Sequence, residues 1–260
     1  MSYSLHPELD PFLDALSLHA PLDAADRSAF RRLPFRPSAI GPGEHVIRHD
    51  SKASYCHLIL EGQAFSHKIM PSGGRQIMAF HLAGDIVGLE QAMLGHADHG
   101  VRAMTTVRTV AIAGHALAEL MSTRPNVALA MLCRTLIDTA TTREWLLNAA
   151  RRPAKARIAH LLCELAYRHA PKGSVDGQAI DCRLTQEQMG DALGLTAVHV
   201  NRLVQALRAD DLIRVDQRRI TIVDWAALQQ MGGFRPSYLH TRRVEEISDR
   251  FAPPAARQVA

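Results

Sequence analysis

The segment Leu184-Thr-Gln-Glu-Gln-Met-Gly-Asp-Ala-Leu-Gly-Leu-Thr-Ala-Val-His-Val-Asn-Arg-Leu-Val-Gln-Ala-Leu-Arg208 decides how the chain is read, because it spells two helices separated by a tight turn. Thr185 is placed to cap the first helix, and Gln188, three residues on, can return a bond to its backbone. Gly194 supplies the turn, and Thr196 stands where the second helix needs a cap. Met189, Leu193, Leu195, Val200, Leu203 and Leu207 recur at spacings that pack the two helices across each other, as in a helix-turn-helix. The second helix then exposes Ala197, Val198, Asn201, Arg202 and Gln205. Asn, Gln and Arg carry paired hydrogen-bonding groups that match adenine and guanine edges in the major groove. Thr185 and Gln186 at the start of the first helix, with Thr196 and His199 at the start of the second, complete the candidate DNA-binding face. A protonated His199 would make a phosphate contact pH-dependent, although a fixed helical role is an equal alternative.

Immediately downstream, Leu212 to Val223 alternates as two short strands around a polar turn, which reads as a wing with Arg218 and Arg219 at its tip. Arginines there can hold phosphate oxygens and fix docking register without conveying sequence information, and a merely solvated turn is the alternative. Upstream lie an amphipathic helix, Ala154 to Tyr167, a polar glycine-containing loop and a short strand near Ala179 to Arg183. Before Pro153, a stretch from Arg124 to Arg152 lacks glycine and has proline only at its first turn, so about eight turns of helix are expected. Leu129, Leu132, Leu136, Thr139, Arg143, Leu146 and Ala150 follow alternating spacings of three and four, a seam with two polar interruptions. Burial of that seam in a parallel homodimer is the expectation; packing of a single helix on its own barrel is the alternative.

Further toward the N-terminus, the chain from Ile40 to Ile112 breaks into short alternating runs: His45 to His49, Tyr55 to Leu60, Ala64 to Met70, Gln76 to His81 and Val101 to Ala113. Glycines separate them, so a sandwich or barrel is implied. A helical stretch from Leu22 to Leu33 opens the chain.

Composition narrows the classes. The formal charge of +4 is uneven: residues 1–150 hold 13 basic and 14 acidic side chains, residues 151–231 hold 12 and 9, and the remainder 5 and 3. The positive excess lies where phosphate contact is expected. There is no apolar stretch of about eighteen residues and no leader-like N-terminus, so a cytoplasmic protein without membrane contact is expected. Cys56, Cys133, Cys163 and Cys182 form no CxxC pair, which argues against a disulfide scaffold.

Three segments together resemble the Crp/Fnr superfamily of dimeric transcription regulators. They are the barrel run Gly62-Gln-Ala-Phe65 with Gly74-Arg-Gln-Ile77 and Gly84-Asp-Ile-Val-Gly88; the helix Arg157-Ile-Ala-His-Leu-Leu-Cys-Glu-Leu165; and Leu193-Gly-Leu-Thr-Ala-Val-His-Val-Asn-Arg202. The resemblance implies an α+β protein: an N-terminal antiparallel β jelly-roll barrel of the cyclic-nucleotide-binding type over residues 1–123, a dimerisation helix over 124–152, and a C-terminal winged helix-turn-helix over 153–231. A tail of unread function, 232–260, follows. Double-stranded DNA, a second copy of the chain and RNA polymerase are the implied partners.

The chain also departs from its relatives. Where cyclic-AMP binders of the family carry an Arg-Ser pair shortly before Val101-Arg102-Ala103, this sequence has Ala97 and Asp98. A methyl and a carboxylate cannot make the charge-assisted bonds a phosphate needs, so tight cyclic-AMP binding is not expected. No cysteine precedes Cys56, which rules out the N-terminal cluster ligands of the oxygen-sensing branch. Haem has no support beyond the abundance of histidine, no cofactor is assigned, and the effector is open. In the recognition helix, Val198, Asn201 and Arg202 stand where relatives place Glu, Ser and Arg. Arg202 keeps a guanine-reading role, whereas Val198 suits a thymine methyl rather than a cytosine amine.

His96 and His99, with Asp98, have the spacing of a partial metal site, but a solvated loop explains them and no metal is assigned. Cys182, just before the helix-turn-helix, is a redox candidate, with an inert strand residue as the default. Trp145 reads as a packing residue. Rival functions are a metal-dependent cupin-like enzyme, which the absence of any HxH pair disfavours, and a sensory adaptor that does not bind DNA. No GxSxG, HExxH or P-loop pattern occurs, so catalysis is not expected.

Overall fold

A computed structural model describes residues 7–52, 54–169, 179–180, 184–216 and 219–240. They fall into two compact units, one of residues 7–66 and 80–139, the other of residues 67–79 and 140–240, each within the described ranges.

Along the N-terminal part of the chain a 3-10 turn, Pro7–Leu9, leads into α1 (Asp10–Ser17) and α2 (Ala24–Arg31). The strands are β1 (Phe35–Ile40), β2 (His45–Ile47), β3 (Tyr55–Glu61), β4 (Ala64–Ile69), β5 (Arg75–His81), β6 (Ile86–Val87), β7 (Gly100–Ala103) and β8 (Val107–Ala113). They form two four-stranded sheets, β1-β8-β3-β6 and β2-β7-β4-β5. The pairings of β1 with β8, β3 with β8, β3 with β6 and β2 with β7 are antiparallel. Helices α3 (Leu89–Leu94) and α4 (Gly114–Thr123) precede the long α5 (Pro125–Arg151).

The two-residue side-chain period divides β3 and β8 between two cores. Ile59 and Val107 join Val46, Ile47, Ala64, Val87, Ala97 and Val101 in one cluster. Cys56, Leu58, Val110 and Ile112 join Phe12, Leu13, Leu16 and Phe30 of the N-terminal helices and Val127, Ala130 and Met131 of α5 in the other. Both faces of these strands are buried, which explains their nearly continuous apolar composition. The start of α5 is tied to the barrel by Arg134, whose guanidinium lies 3.1 Å from the buried Asp85 and 3.0 Å from Asp138.

The structure corrects several sequence readings. The run Val101 to Ala113 is two strands in different sheets, because the chain turns at Met104–Thr106. A β-carbon on Gly62 (φ +89°) would lie 2.2 Å from the Thr106 carbonyl oxygen, so this corner needs glycine opposite it. The barrel begins with β1, ahead of Ile40; Pro37 masked that strand, and it is tolerated because β1 is an edge strand. Pro11 similarly masked α1, where it occupies the first turn and lacks only an amide that would be unpaired anyway.

The second unit contains α6 (Ala154–His169), β9 (Ala179–Ile180), α7 (Gln186–Leu193), α8 (Ala197–Ala209), β10 (Ile213–Asp216), β11 (Arg219–Ile222) and α9 (Trp225–Gly232), followed by a 3-10 turn, Pro236–Leu239. The strands form a sheet of order β10-β11-β9. Helix α6 buries Ile158, Ala159, Leu161, Leu162 and Leu165. A β-carbon on Gly232 would lie 2.6 Å from the His160 amide nitrogen, so α9 ends directly against the α6 backbone.

Candidate nucleic-acid interface

Helices α7 and α8 are set by their ends. The Gln188 amide donates to Thr185 Oγ1 at 3.1 Å and the Thr185 amide donates to Gln188 Oε1 at 2.9 Å, closing a capping box. Gly194 ends α7 in the left-handed region at φ 66°, and the His199 amide donates to Thr196 Oγ1 at 3.2 Å to start α8. Met189, Ala192, Leu193, Val200, Val204 and Leu207 are buried between the helices and the rest of the unit. Leu195 and Leu203 are only half-buried. Gly190 also matters: its β-carbon would lie 2.4 Å from the Leu195 carbonyl oxygen, so the turn closes only over a bare α-carbon.

This packing leaves one face of α8 in solvent. Val198 is 82% exposed, and Ala197, Asn201, Arg202 and Gln205 are exposed beside it, with His199 half-buried. A valine this exposed serves no core. Gln205 Oε1 accepts from Arg208 Nη1 at 2.9 Å, so reading an adenine with both amide atoms requires Arg208 to release it. Thr185 and Gln186 are exposed at the start of α7. The wing pairs Val215 with Ile220 and Asp216 with Arg219, leaving Arg219 exposed. Arg218 lies outside the described residues, as does Cys182. Sequence reading missed Arg214, exposed on β10, whose alternation with buried Ile213 was the available signal.

The base of the interface is held by Arg157 on α6. Its Nη1 donates to the Leu193 carbonyl at 3.0 Å and its Nε to the Arg152 carbonyl at 2.9 Å. In the same unit, Arg75 Nε donates to Asp191 Oδ2 at 2.6 Å, and Glu187 lies 3.4 Å from the same guanidinium. These contacts offset two carboxylates on α7 that would otherwise repel phosphate.

The chain matches the Crp-like helix-turn-helix domain over residues 156–231 and the cyclic nucleotide-binding domain over residues 38–124. It is 31% identical to the transcriptional activator protein FnrL of Cereibacter sphaeroides over 195 residues, 74% of this chain and 78% of that protein. The chain belongs to the Crp/Fnr family. The fumarate and nitrate reduction regulatory protein of Escherichia coli is 27% identical over 86% of this chain and 84% of its own length. The structure of FixK2 from Bradyrhizobium japonicum superposes with a TM-score of 0.70, covering 76% of this chain and 98% of that one at 24% identity. This Crp/Fnr protein is therefore a DNA-binding transcription regulator and not an enzyme, which sets aside the cupin-like reading.

Ala97 and Asp98 take different environments in the barrel. Ala97 is fully buried in the apolar cluster between the sheets, and Asp98 is exposed, bonded to His99 Nδ1 at 2.8 Å. Neither position offers a cation or a hydroxyl to the interior. The histidines of this loop are otherwise engaged: His99 meets the buried Gln91 at 3.1 Å, and His96 lies 3.7 Å from Asp50. Cys56, Cys133 and Cys163 are free thiols, and burial pushes the Cys56 and Cys163 thiols up to about 12, leaving them unreactive.

Along α5, Leu132 (54%), Leu136 (57%) and Leu146 (70%) are exposed, as are Thr139 and Arg143 between them. Leu129 instead packs partly against the barrel's helical cluster. No helix among the described residues is long and apolar enough to cross a membrane.

Proposed function

We propose that this regulator acts as a homodimer, seating α8 of each protomer in successive major grooves of a pseudo-palindromic operator, and that it does so without cyclic AMP. The observation that carries the reading is the set Val198, Asn201, Arg202 and Gln205, exposed together on a helix whose opposite face buries Val200, Val204 and Leu207. Arg202 is assigned to guanine and Val198 to a thymine methyl. Thr185, Gln186, Thr196, Ala197, His199, Arg218 and Arg219 are assigned to the backbone and groove walls, where contacts fix register rather than sequence. Exposed Leu132, Leu136 and Leu146, with Thr139 and Arg143, support a partner helix along α5, with Leu129 at its barrel end. A two-fold axis there matches half-sites about 34 Å apart. Ala97 and Asp98 support independence from cyclic AMP. Contact with RNA polymerase and a cytoplasmic location follow from the regulatory role.

The test is selection of operators from a randomised duplex pool by the purified protein, with and without cyclic AMP, followed by a salt titration on the enriched site. A two-fold-symmetric site enriched equally in both conditions, with affinity falling steeply as salt rises, is expected. Enrichment only with cyclic AMP overturns the ligand independence, and an asymmetric site overturns the dimeric reading.

A further inference from the structure

The last turns of α5 are fastened to α6 and to the segment after α9 by a buried polar network. The Trp145 indole nitrogen donates to both carboxylate oxygens of Glu164, at 3.1 and 3.0 Å. The Tyr238 hydroxyl donates to the same carboxylate at 2.7 Å. Glu164 is fully buried, and burial raises its pKa, with Arg168, Tyr238 and Trp145 acting in the opposite direction. Such a group is stable in place only while its donors stay put. A second layer supports the first. Asn148 Nδ2 donates to the Arg157 carbonyl at 3.3 Å, Arg152 lies 2.5 Å from Glu144, and the buried His160 ring stacks on Tyr238 with Nδ1 3.2 Å from the Gly232 carbonyl. Phe234, 2% exposed, meets His160, Tyr167, Trp225 and Tyr238 edge-on or tilted.

We infer that residues 232–240 are a buckle that makes the last turns of α5, from Trp145 onward, one mechanical body with the DNA-binding domain, so that Pro153 is not a joint in this protein. Pro153 alone would permit a swing, because the helical hydrogen-bond ladder is interrupted there. The Trp145–Glu164–Tyr238 bridge spans that break from both sides. Opening it would strand a buried carboxylate beside an indole and a phenol that have lost their acceptor. Between Trp145 and Pro125 the helix has no glycine or proline at which to bend. Any displacement of the last turns of α5 then carries the recognition helix with it.

Amide hydrogen exchange on the full-length protein without DNA tests this, and so reads independently of the proposed operator binding. In the wild type, the backbone of residues 143–151, α6 and 225–240 should share one opening rate. Tyr238→Phe removes one donor to a buried carboxylate and should accelerate exchange in all three segments together, roughly tenfold, leaving residues 125–138 unchanged. Trp145→Phe attacks the bridge from the other side and should give the same pattern, which covers the case that Tyr238→Phe fails to fold. Acceleration confined to α6 and the C-terminal segment, with residues 143–151 unmoved in both variants, would overturn the inference. A distinct opening rate for residues 143–151 in the wild type would do the same.

Discussion

Arg202 illustrates what a single side chain contributes. Its side chain is exposed on α8, and among the described residues it makes no ion pair that would have to be broken before it meets DNA. A bidentate contact with guanine is therefore available without a competing internal bond. Arg202→Ala should cost about 1–3 kcal/mol in operator affinity and relax selection at one base pair per half-site. Fluorescence anisotropy on the selected operator and on its single-base variants measures both. Unchanged affinity would take Arg202 out of the interface, and a uniform loss across all variants would reassign it to phosphate. Gln205 differs, because its bond to Arg208 must be exchanged for a base contact, so part of any gain is offset.

At the scale of elements, Gly190 and His160 make two predictions. Replacing a glycine inside a helix with alanine ordinarily gains about 1 kcal/mol from lower backbone entropy in the unfolded chain. At Gly190 the new methyl would lie 2.4 Å from a backbone oxygen, and backbone cannot rotate aside as a side chain can. Overpacking of this kind costs about 1–3 kcal/mol, so the net expectation for Gly190→Ala is a loss of stability of up to about 2 kcal/mol, measured by urea unfolding. A more stable variant would mean that the turn relaxes freely.

His160 sets a pH dependence. Burial, assisted by Arg152, holds its pKa down at about 4, with Glu144 and the Gly232 carbonyl opposing. Above about pH 6.5 it is neutral whether folded or unfolded. Between about 6.5 and 4 the unfolded chain takes up a proton that the folded one refuses, so stability falls as pH drops, by on the order of 3 kcal/mol across the window. Glu164 acts in the opposite sense, because a carboxyl with a raised pKa loses stability as pH rises through its titration. Comparing the wild type with His160→Gln isolates the histidine: the variant should lose less stability between pH 7 and pH 5. Parallel curves would contradict the assignment.

The same elements explain what could be read from the sequence. The helix-turn-helix was legible because its determinants are local: Thr185 with Gln188, Gly194 and Thr196 each act within four residues of their partners. Gly190 was not legible, since what it avoids is a carbonyl brought near only by the turn. β1 and α1 were hidden by Pro37 and Pro11, whose acceptability depends on an edge position and a first-turn position that only the fold defines. The role of Trp145 was readable as packing, but its acceptor Glu164 lies 19 residues away and Tyr238 a further 74. No periodicity connects those three residues.

For the molecule as a whole, the question is what covers α5. Leu132, Leu136 and Leu146 lie along a 27-residue helix whose barrel-facing side is occupied by Val127, Ala130 and Met131. In the proposed dimer a second copy of the same helix would cover each leucine in both protomers, and full burial of one leucine contributes about 1.5–3 kcal/mol. Leu136→Glu replaces two such contributions with two carboxylates facing each other across the axis. The dimer dissociation constant should rise by at least roughly a hundredfold, which sedimentation velocity at micromolar concentration resolves as a shift to monomer. Far-UV circular dichroism should stay unchanged, because the leucine is exposed in the single chain. Operator affinity should fall further than dimer loss at equal concentration would suggest for one half-site. The salt dependence of the residual binding should also become shallower, as half the phosphate contacts are gone. A Leu136→Glu protein that remains dimeric would move the two-fold axis off this seam and require a different surface to set the half-site spacing.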